Sequence, residues 1–167
     1  MKALVVYDSF FGNTEQIARA VGDAVGAAIG ASPAAPSGVT TLRVGDVKPG
    51  HLANLNLLVV GSPTRAFSAS PATKAWLKAL APNSLRGVEV AAFDTRADMN
   101  DVNSRALTAF VKLFGYAAEP IANSLTKRGG TLVVPPEGFF IVDKEGPLKD
   151  GELARATAWG AQIAAKV

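Results

Sequence analysis

The sequence predicts an α/β domain of the doubly wound type, a five-stranded parallel sheet between two layers of helices. Two observations carry that expectation. Four apolar runs, "ALVVY" (3–7), "LLVVG" (57–61), "VEVAAF" (88–93) and "TLVVP" (131–135), are continuous rather than alternating, as in strands covered on both faces. Helical patterns separate them, and regular alternation of the two element types implies right-handed crossovers and parallel strands. A fifth run, "TTLRV" (40–44), alternates and suits an edge strand.

The helices follow in order. Ile17, Val21, Ala24, Val25 and Ala28 recur on one face of the first. The loop "ASPAAPSG" (31–38) then leads to the edge strand. In "SASPATKAWLKAL", Ser70 is a natural N-cap and Pro71 falls at the first helical position, where its missing N–H costs nothing. A third pattern places Val102, Ala106, Phe110 and Leu113 together, and a last helix from about Asp150 carries Leu153, Ala156, Trp159 and Ile163. The segment "GYAAEPIANSLTKRGG" (115–130) lengthens the last crossover, with Pro120 expected to divide it into two helical pieces. After the last apolar run, "PPEGFFIVDKEGPLKDGE" reads as an extension or a bent continuation of that strand. Without a repeat, a low-complexity tract or a linker, the chain reads as one domain spanning residues 1–167.

Composition narrows the chemistry. At 49% hydrophobic and 19% charged, the 167 residues match a compact domain with a substantial core. No apolar run approaches the roughly 20 residues of a membrane helix, and "MKALVVYD" is too short for a signal-peptide core. The expected setting is cytoplasmic, with no membrane partner. Cysteine is absent, which excludes disulfides, thiol nucleophiles and Cys-ligated metals. The single histidine, His51, sits beside a Pro-Gly turn with no second His to share a metal, and reads as an exposed loop residue. No metal site and no side-chain catalyst are expected, so any redox chemistry needs a cofactor. The net charge of +3 comes from dispersed Lys and Arg, without the basic cluster and interleaved aromatics of a nucleic-acid binder.

The turn after the first strand, "YDSFFGNT" (7–14), is the richest in function. Asn13 as N-cap with Gln16 three residues on, and Gly12 for the sharp turn, would explain it as an ordinary helix start. That reading leaves the cluster of Ser9, Asn13 and Thr14 unexplained. At the carboxyl end of a strand and the start of a helix, free N–H groups and the positive end of the dipole can bind a phosphate without Lys or Arg. Neither G-x-x-x-x-G-K-[ST] nor G-x-G-x-x-G is present. A phosphoacceptor receiver domain fails too, because Asp8 stands alone and the third run ends "VVGSPT".

With "SFFGNTEQIARAV" after an apolar strand, the sequence resembles the flavodoxin family, whose signature is S/T-x-T-G-N-T between a strand and a helix. "VVGSPTRAFSASPATKAWLKAL" and "AAFDTRADMN" resemble the two loops that flank the flavin ring, so the likeness spans the chain. It implies strand order 2-1-3-4-5 and non-covalent FMN at the carboxyl ends of the strands. Carried over, Ser9, Asn13 and Thr14 would donate to the phosphate, with backbone N–H groups from Phe10, Phe11 and Gly12 onward. Ser62, Pro63, Thr64, Arg65, Ala66 and Phe67 would follow the ribityl chain and ring. Asp94, Thr95, Arg96, Ala97 and Asp98 would face the ring from the other side.

The pattern departs in three places. Phe11 replaces a hydroxyl residue of the phosphate loop. No tyrosine occupies the second ring loop, which leaves Phe67 as the expected ring partner ahead of Phe10 and Met99. Arg65 and Arg96 stand where the family is usually acidic, and a cation near the ring would favour the anionic reduced flavin. Three functions stay open: an FMN electron carrier between redox partner proteins, an FMN-dependent NAD(P)H:quinone or flavin oxidoreductase with a small-molecule acceptor, and an interaction module that has lost FMN. The carrier leads, because no second nucleotide site is visible.

Overall fold

A computed structural model describes residues 1–30, 38–98 and 116–167. Among these, the order is β1 (Lys2–Tyr7), α1 (Asn13–Gly30), β2 (Gly38–Arg43), α2 (Pro49–Leu52), β3 (Leu57–Pro63), α3 (Pro71–Ala79), β4 (Glu89–Ala97), α4 (Ala118–Thr126), β5 (Thr131–Leu132), β6 (Glu137–Ile141) and α5 (Glu152–Ala164). The expected helix bearing Val102, Ala106, Phe110 and Leu113 lies outside the described residues, as does Met99. No helix among the described residues is long and apolar enough to cross a membrane.

The sheet is parallel throughout, in the order β2-β1-β3-β4-β5, with β6 also paired to β4. Strand periodicity divides the core into two layers. Ala3, Val5 and Tyr7 of β1 pack with Ile17, Val21 and Val25 of α1 and with Trp159 and Ile163 of α5. Leu4 and Val6 face the opposite way, toward Leu77 of α3 and Ile121 and Leu125 of α4. Each fully buried Val or Leu contributes about 1.5–3 kcal/mol, so two-sided burial of β1, β3 and β4 supplies much of the fold's stability. Beneath the carboxyl ends of the strands, the rings of Phe93, Phe139 and Trp159 meet edge to face, with centroids 5.9–6.1 Å apart.

The fifth sheet position holds two strands rather than one. Glu89 pairs with Thr131 and Phe93 with Glu137, so residues 133–136 stand opposite only Ala91 and Ala92. Pro135 and Pro136 carry no N–H for the ladder, which interrupts the strand and displaces β6 toward the carboxyl end of β4. The expected continuation after "TLVVP" is thus β6.

Four local expectations are corrected. Pro120 does not divide its helix. It lies in the first turn of α4, where an N–H has no helical acceptor to lose. Leu153 is 46% exposed, because α5 begins at Glu152 and the residues that meet the sheet are Ala156, Trp159 and Ile163. Ala28 likewise faces solvent while Ile29 is buried. His51 is half-buried rather than in an exposed loop, and its Nδ1 accepts the Lys48 N–H at 2.9 Å at the start of α2.

Candidate functional site

β1, β3 and β4 lie side by side, Tyr7 beside Gly61 and Gly61 beside Phe93, and the loops leaving β1 and β3, the end of β4 and the turn after β6 define one cavity of about 260 Å³. The first loop closes on itself. Asp8 Oδ1 accepts the Ser9 N–H at 2.9 Å, and Ser9 Oγ accepts the Gly12 N–H at 3.0 Å. Arg43 at the end of β2 braces the turn from outside, donating to Asp8 Oδ1 at 3.3 Å and to the Ser9 carbonyl. Gly12 has φ +86°, a left-handed conformation that glycine adopts without strain.

The first helical bond runs from Gln16 N–H to the Gly12 carbonyl at 3.1 Å, so Gly12 rather than Asn13 stands at the cap. The Asn13 side chain has a different use. Its Nδ2 donates to the Glu145 carbonyl at 2.8 Å, tying the helix start to the turn that follows β6. Among the described residues, the N–H groups of Phe10, Phe11, Asn13 and Thr14 have no protein acceptor, and they lie at the positive end of an 18-residue helix. Thr14 Oγ1 and Thr95 Oγ1 are hydrogen-bonded at 2.7 Å, both residues buried. One hydroxyl hydrogen is used in that bond, which leaves the other to be donated. The Ser9 hydroxyl hydrogen is a further donor. This neutral donor set suits a phosphate monoester.

The second loop forms the opposite wall. The Thr64 N–H donates to the Thr95 carbonyl at 2.8 Å, and Thr64 Oγ1 accepts the Ala117 N–H at 3.2 Å. Arg65 and Ser68 then exchange backbone bonds of 2.9 and 3.0 Å around a two-residue turn. Both central residues have positive φ, 45° at Ala66 and 59° at Phe67, a strain that non-glycine residues hold only where the surroundings impose it. The Arg65 guanidinium lies 5.1 Å from the ring centre of Phe10 and 5.7 Å from that of Phe11. The two phenylalanines, each 47% exposed, are therefore bridged across the loops by one cation.

Of the residues singled out from the sequence, Ser9, Phe10, Phe11, Asn13 and Thr14 line the cavity from the first loop, and Pro63, Thr64, Arg65 and Ala66 from the second. Thr95 and Ala97 reach it from β4. Six others, Gly12, Ser62, Phe67, Asp94, Arg96 and Asp98, do not line it. Gly12 shapes the turn, and Ser62, fully buried, accepts the Ser70 N–H at 2.9 Å and so fixes the start of α3. Phe67, the expected ring partner, is absent from the wall, which Phe10 and Phe11 supply instead.

Asp94 and Arg96 are committed to each other. Nε and Nη2 of Arg96 reach the carboxylate at 2.5 and 2.8 Å, the Ala118 N–H adds a bond of 2.8 Å, and the guanidinium stacks 3.6 Å from the centre of the Tyr116 ring. Burial pushes the Asp94 carboxyl up from its ordinary value, against the opposing pull of Arg96 and the Ala118 amide. Burial likewise raises the Tyr116 phenol. This cluster anchors α4 to β4. Asp98 is paired with Lys149 at 2.8 Å, outside the cavity.

Two cavity residues escaped sequence reasoning, Ile141 and Lys144. Both follow the interruption at Pro135 and Pro136, so no motif spacing pointed to them. The hairpin-like Gly-Pro at 146–147 was the available signal.

No protein-family model and no curated protein matches the sequence. Solved structures do match over the full length. A flavodoxin from the domain Archaea is 26% identical with a TM-score of 0.74, covering 99% of this chain and 98% of that one. Oxidised flavodoxin 1 from Bacillus cereus is 16% identical with a TM-score of 0.72, covering 100% and 99%. A flavodoxin, WrbA-like protein from Agrobacterium tumefaciens is 19% identical with a TM-score of 0.70, covering 98% and 95%. With its strand order, parallel register and whole-chain likeness to these structures, the chain is a flavodoxin-like αβα protein.

Proposed function

We propose that this chain binds FMN non-covalently at the carboxyl ends of β1, β3 and β4 and transfers electrons between redox partners in the cytoplasm. One observation carries the reading: the loops after β1 and β3 and the end of β4, all singled out in the sequence, meet at one cavity, where a neutral donor set lies at a helix N-terminus. The phosphate would be held by Ser9, Thr14 and the free N–H groups of Phe10, Phe11, Asn13 and Thr14. Pro63, Thr64 and Ala66 would line the path toward the ring. FMN itself supplies the redox chemistry, and the chain orients it and limits its contact with water. The test is a fluorescence titration of the purified protein with FMN. Quenching that saturates at one equivalent supports the reading, and no binding at tens of micromolar removes it, leaving the interaction module.

A second reading, an NAD(P)H-dependent FMN oxidoreductase, draws on Arg65. Its guanidinium stands at the cavity wall on two exposed rings, where an anionic donor could meet it. Steady NADPH-to-quinone turnover by the loaded protein alone would favour this second reading over a carrier.

A further inference from the structure

The turn after β6 reaches the phosphate cradle and is built to stay there. Its base is closed by bonds from Val142 N–H to the Pro147 carbonyl and from Lys149 N–H to the Phe140 carbonyl, 2.8 and 2.9 Å. Its tip is held by Asn13 through the Glu145 carbonyl. Gly146, with φ +110°, lies so close that a Cβ there would stand 2.5 Å from Asn13 Nδ2, so the fit of the turn on the helix start depends on that glycine. Through this contact the turn brings Lys144 into the cavity wall beside Ser9, Asn13 and Thr14. Among the described residues no carboxylate pairs with the Lys144 ammonium, and none lines the cavity. Among the described residues its charged lining consists of Lys144 and Arg65, which come from different loops.

We infer that Lys144 is a phosphate-binding residue, whose ammonium pairs with the phosphate dianion of FMN in place of the hydroxyl missing at Phe11. This inference rests on the FMN reading and deepens it. A hydroxyl would make a neutral hydrogen bond that salt barely affects. An ammonium at an exposed rim makes an attraction that salt screens, since the Debye length falls from about 30 Å at 0.01 M to about 8 Å at 0.15 M. Phosphate discrimination in this chain is thereby charge-based.

The experiment titrates wild type, Lys144→Gln and Lys144→Arg with FMN and with riboflavin, at about 0.01 M and about 0.15 M ionic strength. Lys144→Gln is expected to weaken FMN roughly five- to tenfold at low salt, as for loss of a charge-assisted bond, to leave riboflavin unchanged, and to differ less from wild type at higher salt. Lys144→Arg should keep most of the affinity. Equal FMN affinity of Lys144→Gln and wild type at both salts overturns the role of Lys144 while leaving FMN binding in place, and so does equal weakening of both flavins, which marks a purely structural turn. Wild type that binds neither flavin overturns the FMN reading and this inference together.

Discussion

Replacing Thr14 by Val tests the cradle at its most enclosed point. Thr14 is 1% and Thr95 3% exposed, and their hydroxyls share a 2.7 Å bond between the first turn of α1 and the end of β4. Valine keeps the branched shape but removes the hydroxyl, so Thr95 Oγ1 loses its partner. An unsatisfied buried polar group costs about 1–3 kcal/mol, and removing both partners can be nearly neutral. The cavity adjoins this pair, so water can reach part of the site and the lower end of that range applies. Each single valine should therefore cost about 1 kcal/mol in urea unfolding without flavin, and the double variant Thr14→Val, Thr95→Val no more than either single one. The coupling is then about 1 kcal/mol in magnitude. Additive single costs would show that the two hydroxyls do not depend on each other, and the enclosed bond would be wrong. The same variant separates the two ends of the ligand. Losing one hydrogen bond to a charged group is worth about 1.5–3 kcal/mol, roughly tenfold or more in affinity. Thr14→Val should weaken FMN by that factor and spare riboflavin. Equal weakening of both would move the phosphate away from Thr14.

Two further predictions concern the walls. Ala66→Gly relieves a left-handed alanine in the Arg65–Ser68 turn and should stabilise the protein by roughly 0.5–1 kcal/mol in chemical denaturation; a loss of stability would refute the strain assigned to the turn. For Asp94, burial raises the folded carboxyl above its unfolded value. Its contribution to folding is then present in full below the unfolded pKa of about 3.9 and is lost as pH rises through the raised folded value. The stability of wild type minus that of Asp94→Asn, followed by denaturation from about pH 3 upward, should fall with pH, and a difference that grows would contradict a burial-dominated carboxyl.

The sequence was most legible where a single physical cause dominates. Runs such as "LLVVG" announce strands because burial on both faces leaves no polar position. Ser70 and Pro71 announce α3 because both satisfy one local requirement, and the Ser70 hydroxyl does accept the Thr73 N–H at 3.2 Å. Legibility failed where one residue serves two masters. Asn13 looked like a cap because caps are short-range, but its amide is used by Glu145, 132 residues away in the chain. Asp94 and Arg96 sit at the expected ring loop, yet their geometry is set by Tyr116 and Ala118 on a segment with no motif in common. Lys144 was invisible for the same reason. Its position depends on the interrupted fifth strand, on Gly146 and on Asn13 together, and no single spacing encodes that conjunction.

The two phenylalanines of the first loop now bear on the same logic. Leaving two large apolar side chains each 47% exposed forgoes burial free energy, unless something other than the core has claimed them. Arg65 is that partner. A guanidinium over an exposed ring is worth about 0.5–1 kcal/mol, and here one guanidinium meets two rings, so the contact joins the β1 loop to a β3 turn whose backbone is itself strained at Ala66 and Phe67. Phe at position 11 supplies the second ring that holds Arg65 at the wall. The two cations of the cavity lining are thus seated by neighbouring residues of one segment: Phe11 contacts Arg65, while Asn13, two residues further on, holds the turn that carries Lys144.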